Sequence, residues 1–421
     1  MKLKPYPKYK DSGVEWLGPV PNEWTVTKIK HVTSFTTGWT PPTGDSASFE
    51  GDNLWANISD LGPKILNDTS KRVSDEAIRR SNITISPRGS LLFSFKLSIG
   101  QVGIAGCDLY TNEAIATFLP DNEARLDYLF YASPVFIVQN TSFNIYGAKL
   151  LNQELINAAP IALPNQDGQR QIASFLDRET GKLDTLIAKQ EKLIELLQEK
   201  RQAVISHAVT KGINPDAKMK DSGVEWLGMV PEGWEVKQVK RNFRLLTEKT
   251  DRRVHAIALE NIESWSGRFI ETETIFEGEG IAFNVGDILF GKLRPYLAKA
   301  YLTESSGEAV GDFHVLRPAS GVAGKYAQYQ ILSHEFISII DSSTYGAKMP
   351  RASWDFMGCM PFATPSPTEQ SSIASFLDRE TAKLELLIEK SRRSIELAKE
   401  HRTALISAAV TGKIDVREYS I

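Results

Sequence analysis

The sequence predicts an α+β protein: two modules of mixed sheet and short helices, separated by two long helices that form an antiparallel coiled coil, pseudo-two-fold and circularly arranged. Three observations predict it. The tract Ile172-Ala-Ser-Phe-Leu-Asp-Arg-Glu-Thr180 returns letter for letter as Ile373 to Thr381. A second tract, Asp11-Ser-Gly-Val-Glu-Trp-Leu-Gly18, returns as Asp221 to Gly228, and each copy continues to a Val-Pro and a Trp (Trp24, Trp234). The interval from Ile172 to Asp221, laid off from Ile373, falls one residue past the end of the 421-residue chain. The sequence therefore reads as a circle cut once, with the termini near each other and a two-fold relation that makes the long helices antiparallel. Repeats of this kind outrank any local reading.

In order, residues 1–24 hold the first tag and 25–165 the first module. In that module, runs such as Ser90-Leu-Leu-Phe-Ser-Phe95 read as strands, and a helical patch falls near Asp127 to Tyr131. Residues 166–212 form the first long helix. Leu176, Thr180, Leu183, Ile187, Gln190, Ile194, Leu197, Arg201, Val204 and Ala208 follow at alternating steps of four and three, the a/d seam of a coiled coil. The second tag occupies 213–234 and the second module 235–366, with a strand-like Gly286-Asp-Ile-Leu-Phe290 and a helical patch from Lys325 to Leu332. Residues 367–412 repeat the helix with Leu377, Thr381, Leu384, Ile388, Ser391, Ile395, Ala398, Arg402, Leu405 and Ala409 in the matching slots, and 413–421 is a tail. Each repeated helix would run roughly 55 Å at 1.5 Å per residue. The stripe could instead bury against a neighbouring domain. The letter-perfect repeat and the polar seam residues at matching depth favour a dedicated pair, because such residues fix register at some cost in stability.

Between these near-identical frames the modules barely resemble each other. A shared Tyr-Gly-Ala-Lys (Tyr146 to Lys149, Tyr345 to Lys348) and the runs Leu91-Leu92-Phe93 and Ile288-Leu289-Phe290 mark them as one fold used twice. A fixed frame carrying two separately tuned readers would have this pattern.

A net charge of −3 excludes a uniformly basic protein but not a local basic face. Cys107 and Cys359, far apart, support neither a disulfide framework nor a structural zinc site and suit a reducing, cytoplasmic setting. No stretch reads as a signal peptide or a membrane span. Each Gly-Lys pair (Gly181, Gly291, Gly324, Gly412) lacks the residues of a phosphate loop, and the six histidines show no ligand spacing. Pro120-Asp121 is not followed by a Glu-x-Lys, and the Asn-Pro-Pro-Tyr of amino-methyltransferases is missing. The expectation is a chain with no catalytic site, no metal site and no cofactor of its own.

Positive side chains gather in the modules among aromatics and glycines. Lys64, Arg72, Arg88, Lys96 and Lys149 in the first, and Lys249, Arg252, Arg253, Lys292, Arg294, Lys348 and Arg351 in the second, are the candidate DNA contacts. Phosphate contacts would supply non-specific affinity, and a few side chains at base edges would supply sequence. A solvated charged surface accounts for the same groups. For Tyr-Gly-Ala-Lys two readings stand side by side: a loop whose Gly allows close backbone approach before a phosphate-binding Lys, or a shared turn that packs before the helix.

The plan of the chain resembles the DNA specificity subunit of type I restriction-modification systems. The likeness rests on Ala159-Pro-Ile-Ala-Leu-Pro164 followed by Gln169-Arg-Gln-Ile-Ala173, on Glu369-Gln-Ser-Ser-Ile-Ala374, on Gly38-Trp-Thr-Pro41, which is similar to the family's Gly-x-Thr-Pro loop, and on Lys292-Leu-Arg-Pro-Tyr296. The second module lacks Gly-x-Thr-Pro at the corresponding Leu246 to Arg253, which implies a different subclass and a different half-site. The resemblance implies that each module is a target recognition domain for one half of a split double-stranded DNA target, with the helices setting the gap. It implies two methyltransferase subunits on the frame, carrying S-adenosylmethionine, and an ATP- and Mg-dependent restriction subunit joined through the methylase. A protein-binding scaffold of two modules on a coiled coil is the alternative from another class.

Overall fold

The structure, a computed structural model, describes residues 4–42, 44–120, 123–143, 146–250, 255–272, 278–344 and 349–419. Two helices dominate it, Gln166–Lys211 and Pro367–Val410, of 46 and 44 residues. Each starts directly after a Pro-ended strand, where the chain cannot continue in the sheet. Asn165 accepts a hydrogen bond from the Gly168 N–H (2.9 Å) and Ser366 from the Glu369 N–H (3.3 Å), as helix N-caps do. The central helix ends before Gly212 and the C-terminal helix before Gly412, at φ 76° and 73°, where a side chain would be strained.

The chain folds as two compact units of interleaved sequence. Unit 1 is Met1–Lys189 with Ser394–Ile421, and unit 2 is Gln190–Arg393. Each unit thus takes the first half of one long helix and the second half of the other, the interleaving expected from the circular order of the repeats.

In unit 1 the first tag folds as a hairpin, Tyr9–Asp11 with Pro19–Pro21. Thr25–Lys28 then pairs antiparallel with Pro160–Leu163 and closes the module onto the helix start. Inside lies a five-stranded mixed sheet in the order Phe35–Thr37, Ile115–Phe118, Leu91–Ser94, Val102–Ala105, Ile65–Leu66, the last parallel to its neighbour. A smaller sheet joins Tyr110–Thr111, Asn53–Ala56 and Lys71–Val73. Leu91–Ser94 is buried at every position, as a central strand covered on both faces should be. The helix Leu126–Gln139 packs its Tyr128, Leu129 and Phe136 into one core with Phe93, Phe118, Phe175 and Leu405. Fully burying each of the aromatics stabilises by about 1.5–3 kcal/mol.

Unit 2 repeats the design. Its second tag is the hairpin Met219–Asp221 with Met229–Pro231, and Glu235–Gln238 closes on Pro361–Thr364. The sheet runs Phe243–Leu246, Phe313–Pro318, Ile288–Gly291, Ala300–Leu302, with the second sheet Lys249–Thr250, Gly280–Phe283, Gly307–Val310, Ala256–Ile257 beside it. Gly324–Ile331 and His334–Ser342 stand where unit 1 has one longer helix. Tyr326 lies in the core, edge-on to Phe362 at 6.4 Å.

The helix seam is covered within both units. In unit 2, Leu197, Leu384 and Ile388 form a buried cluster with Ile194 beside it, while Val209 and Ile373 share the main core. Later residues of one helix therefore face earlier residues of the other, which makes the pair antiparallel. In unit 1, Leu176 and Leu405 are buried together, Leu183 and Ile187 half-buried; Ile395 is half-buried too. Arg402 meets Asp184 (3.2 Å) in unit 1, and Arg201 meets Glu385 (3.5 Å) in unit 2. The same pair of positions, a seam arginine and the acid that follows a seam leucine, is thus used twice. Among the described residues no helix is long and apolar enough to cross a membrane.

Candidate nucleic-acid interface

Each module is tied to its helix start by the same side chains. Gln169 accepts from the Arg125 N–H (2.8 Å) and donates to the Pro164 carbonyl (3.0 Å); Gln370 accepts from the Ala323 N–H (2.7 Å) and donates to the carbonyls of Pro365 (2.8 Å) and Gly321 (2.9 Å). Tyr128 donates to the Ala162 carbonyl (2.9 Å) and Tyr326 to that of Ala363 (3.0 Å). Tyr131 donates to Asp177 (2.6 Å) and Tyr329 to Asp378 (2.7 Å), with Thr180 and Thr381 each 3.3 Å away. Burial holds all four phenols above the ordinary tyrosine range. The repeated nine-residue tract thus supplies part of the docking edge in each unit, through Asp177 and Thr180 and through Asp378 and Thr381.

The attachment leaves one end of each main sheet free to vary. In unit 1 the C-terminal ends of Phe35–Thr37 and Leu91–Ser94 and the N-terminal ends of Ile115–Phe118 and Val102–Ala105 lie together, as their antiparallel pairing requires. Three loops meet there. One is Gly38 to Pro41: a Cβ on Gly38 would fall 1.7 Å from the Thr111 carbonyl oxygen, and the Trp39 N–H donates to that oxygen (2.9 Å). Only glycine permits this approach. Thr40 donates to Glu113, and Lys96, exposed, holds its Nζ 5.8 Å from the Phe95 ring.

At the same end in unit 2 the structure gathers Lys292, Arg294 and Arg351. Asp312 lies between Lys292 (3.7 Å) and Arg351 (3.0 Å). The backbone of 292–294 is zipped to 350–352: the Arg294 N–H donates to Pro350, and the Ala352 N–H to Lys292, each at 2.8 Å. His314 braces this from below, 3.0 Å from the Ala352 carbonyl and stacked on Phe290; burial lowers its pKa, with the Lys292 charge adding to the effect. Arg294 is exposed, at φ 51°.

The other candidates lie elsewhere. Arg88 precedes Leu91–Ser94 whereas Lys96 follows it, so about 13 Å of strand separates them. Lys64 is held inside its own unit: it pairs with Asp177 and sits 5.3 and 5.5 Å from the Phe130 and Tyr131 rings. Arg72 pairs with Asp68 (2.8 Å), and its hydrogen bond pulls the Asp68 carboxyl below the usual range. Lys249, 71% exposed, pairs with Glu279 (2.9 Å). Lys149 is exposed on a small hairpin, Ser142–Phe143 with Lys149–Leu150, which makes the first Tyr-Gly-Ala-Lys a protruding turn. Arg252, Arg253, Lys348 and the second Tyr-Gly-Ala-Lys lie outside the described residues.

Two groups escape a reading by charge alone. The anchoring tyrosines carry a signal that the sequence offers, Tyr128-Leu-Phe-Tyr131 against Tyr326-Ala-Gln-Tyr329. Lys325 has none: it reaches Asp378 (3.5 Å) and the Tyr329 ring (5.3 Å), the place that Lys64 takes in unit 1. Among the described residues no group of His, Cys, Asp and Glu could hold a metal ion.

A module that recurs in each unit and docks through equivalent tyrosines and a glutamine onto a pair of antiparallel helices defines the fold class. Residues 21–196 match the model of the type I restriction modification DNA specificity domain. The chain is 25% identical over 232 residues to the MjaIX specificity subunit of a type I restriction enzyme from Methanocaldococcus jannaschii, covering 53% of this chain and 52% of that one. With the EcoDI specificity subunit of Escherichia coli it shares 21% identity over 60% of this chain and 62% of the relative. It therefore spans between half and two thirds of these two relatives. The MjaVIII specificity subunit of M. jannaschii is 22% identical over 94% of both chains. Among solved structures, the HsdS subunit from Thermoanaerobacter tengcongensis shares the fold with a TM-score of 0.53 at 12% identity, over 94% of this chain and 98% of that one. A chain from a structure of complex assembly and conformational transition in a type I restriction-modification system gives 0.66 at 12% identity, over 93% and 98%. Residues 21–196 thus match a type I specificity domain, and over nearly its whole length the chain is similar to a specificity subunit of a type I restriction enzyme.

Proposed function

We propose that this chain is a sequence-specific DNA-binding subunit that reads a bipartite target, one half with each module, and places methyltransferase and restriction subunits on it. The observation that carries this reading is the contrast within each unit. The glutamine and tyrosine contacts that dock each module recur in both units, while the loop ends of the sheets differ in charge. Catalysis, with its S-adenosylmethionine, ATP and Mg, belongs to the partner subunits, and this chain supplies specificity and spacing in the cytoplasm.

The spacing part has a direct test. Seven residues inserted after Leu197 and after Ala398 preserve the a/d stripe and add about 10 Å to each helix. At about 3.4 Å per base pair, the gap in the methylated target should lengthen by about three base pairs, with both half-sites unchanged and affinity lowered by the rotation around the duplex. Efficient methylation at the original gap would show that the helices do not set the spacing. A chain that only scaffolds proteins would shift no DNA duplex at any salt concentration.

A further inference from the structure

The two modules carry one backbone peculiarity at one shared position. Leu91–Ser94 and Ile288–Gly291 occupy the same place in their sheets, each between the strand that pairs with the sheet's first strand and its own hairpin partner. The third residue beyond each strand is Leu97 in the first and Arg294 in the second. Both have left-handed backbone, φ 57° and 51°. Glycine would enter this conformation freely, and an L side chain enters it only at a penalty. Neither module has glycine there. A side chain at this position is therefore retained against backbone preference in both.

In the first module that side chain is leucine, and it is 91% exposed. A lone exposed leucine means little, but this one sits on a turn held from beneath. The buried Ser94 N–H donates to the Gln101 carbonyl (2.9 Å), its carbonyl accepts from the Gly100 N–H (2.9 Å), and its hydroxyl accepts from the Gln101 N–H (3.0 Å) and donates to the Ser98 carbonyl. A further bond, Ile99 N–H to the Leu97 carbonyl (2.9 Å), tightens the tip. The apolar side chain is held away from the fold, beside the cationic Lys96, on the sheet end where the Gly38 to Pro41 loop also lies.

Resting on the reading of this chain as a DNA specificity subunit, we propose that Leu97 is a specificity-determining residue of the first module, an apolar contact to the C5-methyl of a thymine. Of the base edges in the major groove only thymine offers a methyl group, so an apolar tip beside a phosphate-seeking lysine suits that edge. The second module places a guanidinium at the equivalent position, where it can donate two hydrogen bonds to a base edge. One structural slot thus holds two recognition chemistries.

The test uses Leu97→Gly and Leu97→Asn, both compatible with left-handed backbone, so the fold is kept and thermal unfolding confirms it. The full chain is expressed with its methylase, the methylated target is read by methylome sequencing, and binding is measured on that duplex with each thymine in turn replaced by deoxyuridine. The wild-type chain should lose about fourfold in affinity at one thymine of one half-site, the worth of one buried methyl. Both variants should be indifferent to that replacement and accept other bases at that position, with the second half-site unchanged. Variants that keep the wild-type target and a wild type indifferent to deoxyuridine overturn the proposal. So does a uniform loss of affinity across all sequences, which would make Leu97 a wedge or a structural residue. A wild-type chain that directs methylation to no defined sequence would overturn the specificity reading itself, and this inference with it.

Discussion

Asp177 and Asp378 occupy the same position in the repeated tract, and each receives a tyrosine hydroxyl from the fourth residue of the same Tyr-x-x-Tyr. Each also receives a lysine, but Lys64 comes from the loop ahead of Ile65–Leu66 and Lys325 from the helix Gly324–Ile331. The frame presents the same residues, Asp177 and Thr180 or Asp378 and Thr381, to both modules. Contacts made by the module are fixed only in space, and the chain can supply the charge from any segment that reaches. At the far end of the sheet even the chemistry changes, from Lys96 and Leu97 to Lys292, Arg294 and Arg351.

The largest effects should come from breaking the shared dock. Gln370→Ala takes the partner from the buried Pro365 carbonyl and from the part-buried Ala323 N–H and Gly321 carbonyl, and Gln169→Ala takes it from the buried Pro164 carbonyl and the part-buried Arg125 N–H. With about 1–3 kcal/mol for each unsatisfied buried group and incomplete additivity, we expect losses of about 3 and about 2 kcal/mol. Urea unfolding of the two variants would measure them. Losses below about 0.5 kcal/mol, typical of surface substitutions, would mean that these glutamines do not hold the modules to the helix starts.

A smaller and symmetrical effect is expected at the tyrosines. Tyr131→Phe and Tyr329→Phe should each cost about 1–1.5 kcal/mol at neutral pH, equal to within a few tenths. The sign with pH follows from the raised phenol pKa values. An unfolded tyrosine ionises near 10.0, whereas the buried phenols stay protonated above it. Their contribution is therefore complete below pH 10 and is lost as pH rises beyond it. Either Phe variant should show a shallower alkaline fall in stability than the parent chain, and an unchanged slope would remove the phenols from the account.

The smallest effects separate anchoring from recognition. Lys64→Ala should lower stability by less than about 1 kcal/mol, since the pair with Asp177 is part-exposed, and leave DNA affinity unchanged. Lys149→Ala should leave stability unchanged, weaken DNA binding alike for all sequences and reduce the salt slope by about one. Titrations at several salt concentrations distinguish the two, and matching behaviour would erase the distinction.

Much of the fold was legible because it is written twice. The long helices, their a/d seam and their antiparallel sense follow from the tract at Ile172 and its copy at Ile373, and the structure pairs Leu197 with Leu384 and Ile388 accordingly. The central strands around Leu92 and Leu289 were legible from unbroken apolar runs. The interface was less so. Lysine looks alike in sequence whether or not it meets an internal carboxylate, and Lys64 is set apart from Lys96 by the distant Asp177 that folding brings to it. Leu97 carries no signal by charge or period, since its distinction is a backbone angle and an exposure.

The central claim is that one frame carries two independent readers. Its most direct measurement is the methylated target of a chain in which residues 25–165 are replaced by the corresponding module of another specificity subunit, expressed with the same methylase. One half of the target should change to the donor's half-site while the other half and the gap stay as they were. A change in both half-sites would contradict it.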